Sequence, residues 1–171
     1  RHIWARTQDG IGLHNFYVPA GGDIPDIDEN AKFAHKLQFI AEMTTHFGVN
    51  KPQTEVLVGD LNIAPLASDV WSSKQLLKIV SHTPVETDGL KRLIADGGWH
   101  DAVRAYFGDE QKLYSWWSYR ARDWAASDRG RRLDHIWVSL DLADRIVMAE
   151  IHRGLRGADK PSDHVPISLT L

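Results

Sequence analysis

Apolar positions along this chain switch between strand and helical spacing, and the switches outline its elements. Residues 1–19 read as a strand pair, 1–6 and then 13–18. Residues 20–30 are rich in Gly and Asp and read as a loop. Phe33, Leu37, Ile40 and Phe47 recur at helical spacing with Ala34 and Ala41 alongside, which predicts a helix over 31–47 stopped by Gly48. Residues 55–58 form a short apolar run that ends at Gly59, the mark of a buried strand. A helix is predicted over 73–80. Thr83-Pro84-Val85-Glu86 is a capping box with proline at the first helical position; its helix runs to about residue 96 and closes at Gly97-Gly98. Residues 101–107 predict one more helix. Strands follow over 114–119, 133–139, 146–152 and 165–171, where Val165, Ile167, Leu169 and Leu171 alternate with smaller or polar residues. Helices and strands alternate early and strands dominate late, so the class is α/β, with two packed sheets.

Composition narrows the field. The 171 residues are enough for one domain with a real core, and no repeat, low-complexity tract or linker divides them. The absence of cysteine excludes disulfide frameworks and Cys-based zinc sites. No apolar stretch approaches a membrane span, and the opening residues lack the pattern of a signal peptide, so no membrane partner is expected. The net charge of −3 gives no global case for nucleic-acid binding; any such case is local.

The strand ends carry the candidate chemistry. After Val56-Leu57-Val58-Gly59 come Asp60 and Asn62, one residue apart. On an extended backbone they would point the same way. A carboxylate and a neutral amide converging on one spot suit the activation of water beside a phosphoryl oxygen. The bland alternative is an ordinary Gly-Asp turn. Asp163 and His164 sit where the last strand begins, and Asp134 opens the strand before it, so three acids, one amide and one histidine can share a site. Tyr17 ends the second strand; it either packs or reaches a phosphate oxygen. Trp116 and Trp117 are adjacent and face opposite sides of a strand: both pack in the core, or one meets a ligand beside Arg120. Residues 120–132 hold five arginines against two aspartates, which is either a solvated loop or a phosphate-backbone contact. Of nine histidines only His164 has a supporting motif. His35 and His46 lie on the first helix, and their separation is not the i, i+4 spacing that a shared zinc favours.

Five motifs in order carry a resemblance: Asn15-Phe16-Tyr17-Val18-Pro19, Gly59-Asp60-Leu61-Asn62, Tyr114-Ser115-Trp116-Trp117-Ser118-Tyr119-Arg120, Arg132-Leu133-Asp134 and Ser162-Asp163-His164. Together the segments resemble the exonuclease III family, within the larger endonuclease/exonuclease/phosphatase superfamily. The resemblance implies a four-layer sandwich of two mixed β-sheets flanked by helices. It implies a cytoplasmic enzyme that degrades duplex DNA from 3′ ends and incises at abasic sites with Mg²⁺ or Mn²⁺. By the same resemblance Asp60 activates the attacking water and Asn62 orients it or steadies the phosphorane-like transition state, both near the metal. His164 contacts the phosphate, Asp134 orients His164, and Tyr17 lies near the phosphate or leaving group. Asp163 is a metal ligand, and Trp116, Trp117 and Arg120 meet the DNA. Mg²⁺ usually takes only one or two protein carboxylates plus phosphate oxygens, so a sparse acidic cluster is enough.

One departure sets a further expectation. Family members carry an N-terminal Thr-Trp-Asn-type motif and a Gln-Glu motif that supplies a principal metal ligand; neither occurs in these 171 residues. Residues 1–171 are therefore expected to be the C-terminal two-thirds of one domain, incomplete at the N-terminus. An exposed apolar face or sheet edge is expected to follow, with a homodimer, a strand-swapped assembly or completion by a missing segment, and weak or absent metal binding and nuclease activity. Two alternatives stand beside DNA hydrolysis: a phosphodiesterase or phosphatase acting on a lipid or inositol phosphate, and a non-catalytic DNA-binding fragment.

Overall fold

A computed structural model describes residues 1–171. The strands are β1 (His2–Arg6), β2 (Gly12–Tyr17), β3 (Glu55–Asp60), β4 (Trp99–Asp101), β5 (Trp116–Trp117), β6 (Gly130–Arg131), β7 (Asp134–Ser139), β8 (Met148–Ile151) and β9 (Ile167–Thr170). The helices are α1 (Ala31–Val49), α2 (Ser73–Leu76), α3 (Pro84–Gly97), α4 (Ala102–Phe107) and α5 (Trp124–Ser127). No helix is long and apolar enough to cross a membrane.

Five strands form a central mixed sheet in the order β1-β2-β3-β7-β4. Only β2 and β3 run parallel; the other neighbours are antiparallel. Successive residues on a strand face opposite sides, and both sides are covered. Phe16, Leu57 and Trp137 pack with Ile40, Met43 and Phe47 of α1 and Leu90 and Leu93 of α3. On the other side Val56, Ile136 and Val138 pack with Val103 of α4, Leu142, and the inner residues of β8 and β9. The apolar run of β3 is thus that of a strand buried on both faces. The result is a mixed α/β architecture with sheets flanked by helices. The second strand layer is two separate two-stranded ladders, β5-β6 and β8-β9, rather than one continuous sheet.

Several boundaries differ from the sequence reading. α1 runs through Gly48 to Val49, and Asn50 ends it by donating its N–H to His46 O. The predicted 73–80 helix is only one turn: after Leu76 the backbone continues as tighter turns, Ile79 N–H to Leu76 O and His82 N–H to Ile79 O. The predicted strand over 114–119 shrinks to β5, because its backbone changes partners. Ser115 N–H reaches Arg131 O, whereas Trp117 N–H reaches Asp163 O. α3 meets expectation: Pro84 opens it, the Glu86 carboxylate accepts from Thr83 N–H, and Gly98 closes it at φ 70°.

β1 is the free edge, and all its residues are exposed, including Ile3 at 70 % and Trp4 at 47 %. At the far end of the sheet lies a buried charge network. The Arg132 guanidinium, wholly buried, grips Asp69 through Nε (2.5 Å) and Asp101 through Nη2 (2.9 Å), and Arg104 also binds Asp69. This network ties the start of β7 to the 67–69 turn and to β4. Removing Arg132 takes the only side-chain cation from Asp101 and leaves the fully buried Asp69 with Arg104 alone. Arg132→Met is expected to cost about 3–5 kcal/mol, read as a fall in Tm of roughly 10 °C. An unchanged Tm would show that the network holds nothing.

Candidate active site

Strand register creates the site. Tyr17 pairs with Asp60 across β2-β3, and Asp60 pairs with Asp134 across β3-β7. The three side chains therefore form a row on one sheet face, the face opposite α1 and α3. Gly59 makes the last step of β3 possible. It adopts φ 135°, and a Cβ there would lie 1.9 Å from Phe16 O. Only glycine lets β3 approach β2 this closely at the point where Asp60 is presented.

His164 arrives from the other layer. Residues 163–165 lie antiparallel along 115–117, through Trp117 N–H to Asp163 O (2.9 Å) and Val165 N–H to Ser115 O (2.8 Å). This aims His164 Nδ1 at Asp134 Oδ2, 2.8 Å away. Ser115 Oγ donates to the same oxygen at 2.7 Å and accepts from the Leu133 and Asp134 N–H groups. Asn62 reaches Asp60 by a different route from the one expected. β3 has ended, and Asn62 takes φ 54°, folding back so that its N–H and Nδ2 each bind a separate Asp60 oxygen at 2.9 Å. Nδ2 also donates to Val18 O at 3.0 Å. The pair converges through a side-chain-bonded turn, not through extended spacing.

Charge in this corner is unbalanced. Burial raises the Asp60 carboxyl to about 6, the facing Asp134 adds to the rise, and His164, the Asn62 N–H and Lys36 oppose it. Burial alone would pull the His164 imidazole down, but its hydrogen bond to Asp134 and the charges of Asp134, Asp60 and Asp163 outweigh burial. Its pKa lies above the ordinary 6.5. One ligand atom from each of Asp60, Asp134 and His164 lies within 4.8 Å of the others. Two facing carboxylates, one of them held partly protonated near neutrality, make a donor set that a hard divalent cation fits and relieves. Asp163 does not join this trio; its Oδ2 accepts from Trp116 Nε1 at 2.9 Å.

Through His164 and Asn62 the site adjoins a cleft of ≈ 650 Å³ lined also by Trp71, Trp116, Arg120 and Arg129. Trp117 faces the core at 2 % exposure, whereas its neighbour Trp116 is half-buried and lines the cleft. The arginine stretch divides. Arg120, Arg122 and Arg129 are not buried. Arg131 is fixed on Ser81 Oγ and Val80 O, and Arg132 is the buried clamp described above. Tyr17 is 52 % exposed, with the Arg1 guanidinium 5.2 Å above its ring. Sequence reasoning missed Trp71, which has no motif and reaches the cleft under Arg129 (4.7 Å). It also assigned no role to Ser115, although Ser115 lies inside a quoted motif.

Comparison with known proteins agrees with this geometry. Residues 37–164 match the Endonuclease/Exonuclease/phosphatase family, and the chain belongs to it. Within that family its likeness runs to exonuclease III. It is 32 % identical to exodeoxyribonuclease III of Haemophilus influenzae, over 98 % of this chain and 65 % of that protein. An AP endonuclease structure from Archaeoglobus fulgidus superimposes with a TM-score of 0.89 at 29 % identity, over 98 % of this chain and 63 % of that one. The 3′-5′ exonuclease from Neisseria meningitidis gives 0.89 at 27 % identity, over 100 % and 64 %. The chain thus spans just under two-thirds of the length of these relatives.

The raised Asp60 pKa has a signed consequence. The folded state holds this proton more tightly than the unfolded state, so the contribution of Asp60 to stability falls as pH rises from about 4 to about 6. Relative to Asp60→Asn, the parent is expected to lose about 2–3 kcal/mol across that interval. Parallel denaturation curves for both proteins at pH 4 and pH 7 would contradict it.

Proposed function

We infer that the site hydrolyses phosphodiester bonds in duplex DNA, at abasic sites or at 3′ ends, with Mg²⁺ or Mn²⁺ as the cation. The observation that carries this reading is the Asp134–His164 pair (2.8 Å) facing the Asp60–Asn62 pair (2.9 Å) across one end of the sheet. Asp60, once ionised, accepts a proton from the attacking water. Asn62 orients that water or bonds a phosphoryl oxygen. His164, kept cationic by Asp134, donates to the anionic phosphoryl oxygen as charge develops. Asp60 and Asp134 would hold the cation with Asn62 close by, and Asp163 would have to leave its bond to Trp116 Nε1 to join them. The bound cation would neutralise phosphate charge. Trp116 and Trp71 offer faces on which an unpaired base or an abasic gap can rest, while Arg120 and Arg129 meet phosphates. The relatives support DNA as substrate: the Neisseria protein, described as a 3′ phosphatase, has been solved with a product DNA hairpin. The cleft's aromatic and arginine lining favours DNA over an inositol phosphate.

The deciding experiment is single-turnover cleavage of an abasic duplex with the chain in excess, with and without EDTA. We expect slow, metal-dependent incision, and losses of roughly 100-fold or more in His164→Ala and Asp60→Asn. Faster turnover of inositol phosphates, or duplex binding with no incision and no effect of EDTA or Asn62→Ala, would overturn it in favour of one of the two alternatives. The rate is expected to rise through pH about 6 as Asp60 ionises and to fall at alkaline pH as His164 loses its proton. A pH-independent rate between 5 and 9 would remove both residues from these roles.

The same reading includes self-association through the free edge of β1, whose Ile3 and Trp4 are exposed. Light scattering is expected to show a concentration-dependent dimer that Trp4→Lys weakens. A monomer at every concentration would exclude it.

A further inference from the structure

Lys36 lies on α1, outside every motif of the site, and its side chain is wholly buried. A buried ammonium needs a partner for each of its three N–H groups. It has them: Asn62 O at 2.8 Å, Ala20 O at 3.2 Å and Glu86 Oε1 at 2.5 Å. Glu86 is equally buried. Its carboxylate accepts from Ser81 N–H (2.9 Å), Thr83 N–H (3.1 Å) and Thr83 Oγ1 (2.6 Å). The two carbonyls belong to two different site loops. Ala20 follows β2 and Tyr17; Asn62 follows β3 and Asp60.

We propose that Lys36, braced by Glu86, is a positioning residue that clamps the loops after β2 and β3 and holds Asn62 folded back on Asp60. Three observations carry it. Asn62 sits at φ 54°, a conformation that a non-glycine residue keeps only when its surroundings enforce it. Its side-chain amide bridges the same two loops, to Val18 O and Asp60 Oδ2. The only side chain recorded on its backbone carbonyl is the Lys36 ammonium. The clamp fixes that carbonyl from behind while the amide faces the cleft. Any effect on catalysis rests on the roles given above to Asp60 and Asn62; the effect on Asn62 itself does not.

The test pairs two readouts. Lys36→Met alone would strand the Glu86 charge, so the variant to use is Lys36→Met with Glu86→Gln, whose amide oxygen still accepts from Ser81 and Thr83. Leu93→Ala, a buried residue far from the loops in sequence, is the control for lost stability alone. In ¹H–¹⁵N spectra the Asn62 side-chain NH₂ pair is expected to move to the position of a free, mobile amide in the double variant and to stay in place in the control. If the parent cleaves abasic duplex, kcat is expected to fall roughly 10- to 100-fold in the double variant, with KM little changed and the control close to the parent. If the parent cleaves nothing, the proposed function fails and the Asn62 signal alone judges the clamp. An Asn62 amide unmoved in the double variant, or moved equally in Leu93→Ala, overturns the proposal. Should the double variant not fold, the parent decides: the Lys36 ammonium protons are expected to be visible at pH 7, shielded by three acceptors, and their loss to fast exchange overturns it.

Discussion

Two like charges face one another because strand pairing leaves them no choice. Antiparallel β3 and β7 set Asp60 opposite Asp134, and parallel β2 adds Tyr17 to the same row. Sheet register is a collective property: slipping by one residue would turn every apolar side chain of β3 and β7 to the wrong face. The repulsion between the carboxylates is therefore held in place by the packing of Val56, Val58, Ile136 and Val138 on one side and Leu57 and Trp137 on the other. Burial first, and this repulsion second, raise the Asp60 carboxyl to about 6. Everything around it answers that imbalance. Asn62 donates twice, His164 brings a shareable proton, and Lys36 stands behind the turn.

Buried charge recurs at a second place for a different purpose. The Asp69–Arg132–Asp101 clamp lies two residues before Asp134 and joins segments distant in sequence. Such a network adds little net stability over a well-packed apolar one, but it tolerates few alternative arrangements. It fixes where β7 begins, and therefore which β7 residue faces Asp60. Arg132 and Asp134 belong to one short motif, yet one serves the scaffold and the other the site.

Much of this was legible in the sequence where a signal was local. The capping box of α3 predicted its start, and four of the five central strands were read as strands; β4 was missed, because three residues between two helices carry no pattern of their own. The Asp60 and Asp134 motifs could be assembled because each lies at a strand end; His164 was read the same way, but it stands three residues before β9 and is placed by its pairing with Trp116. What failed was whatever depended on partners remote in sequence. The 114–119 strand broke because its backbone bonds to two different neighbours. The arginine stretch read as one basic patch, although Asp69 and Asp101 withdraw the buried Arg132 from it; Arg131, held by Ser81, stays in the cleft wall. Lys36 carried no signal at all: a lysine on a helix reads as solvated, and only the arrival of Ala20, Asn62 and Glu86 around it makes it an interior cation.

Ser115 has a consequence of its own. Its hydroxyl oxygen accepts two backbone N–H groups, from Leu133 and Asp134, so both lone pairs are occupied. Its single hydrogen has one direction left, toward Asp134 Oδ2. That oxygen cannot itself carry a proton against it, so the imidazole nitrogen that meets Oδ2 must be the protonated one. A buried serine thereby selects the tautomer of His164: Nδ1 always bears hydrogen, and Nε2 is the only atom of the ring whose protonation can change. Alanine at position 115 would remove that donor from Asp134 and leave the Leu133 and Asp134 N–H groups without their side-chain acceptor.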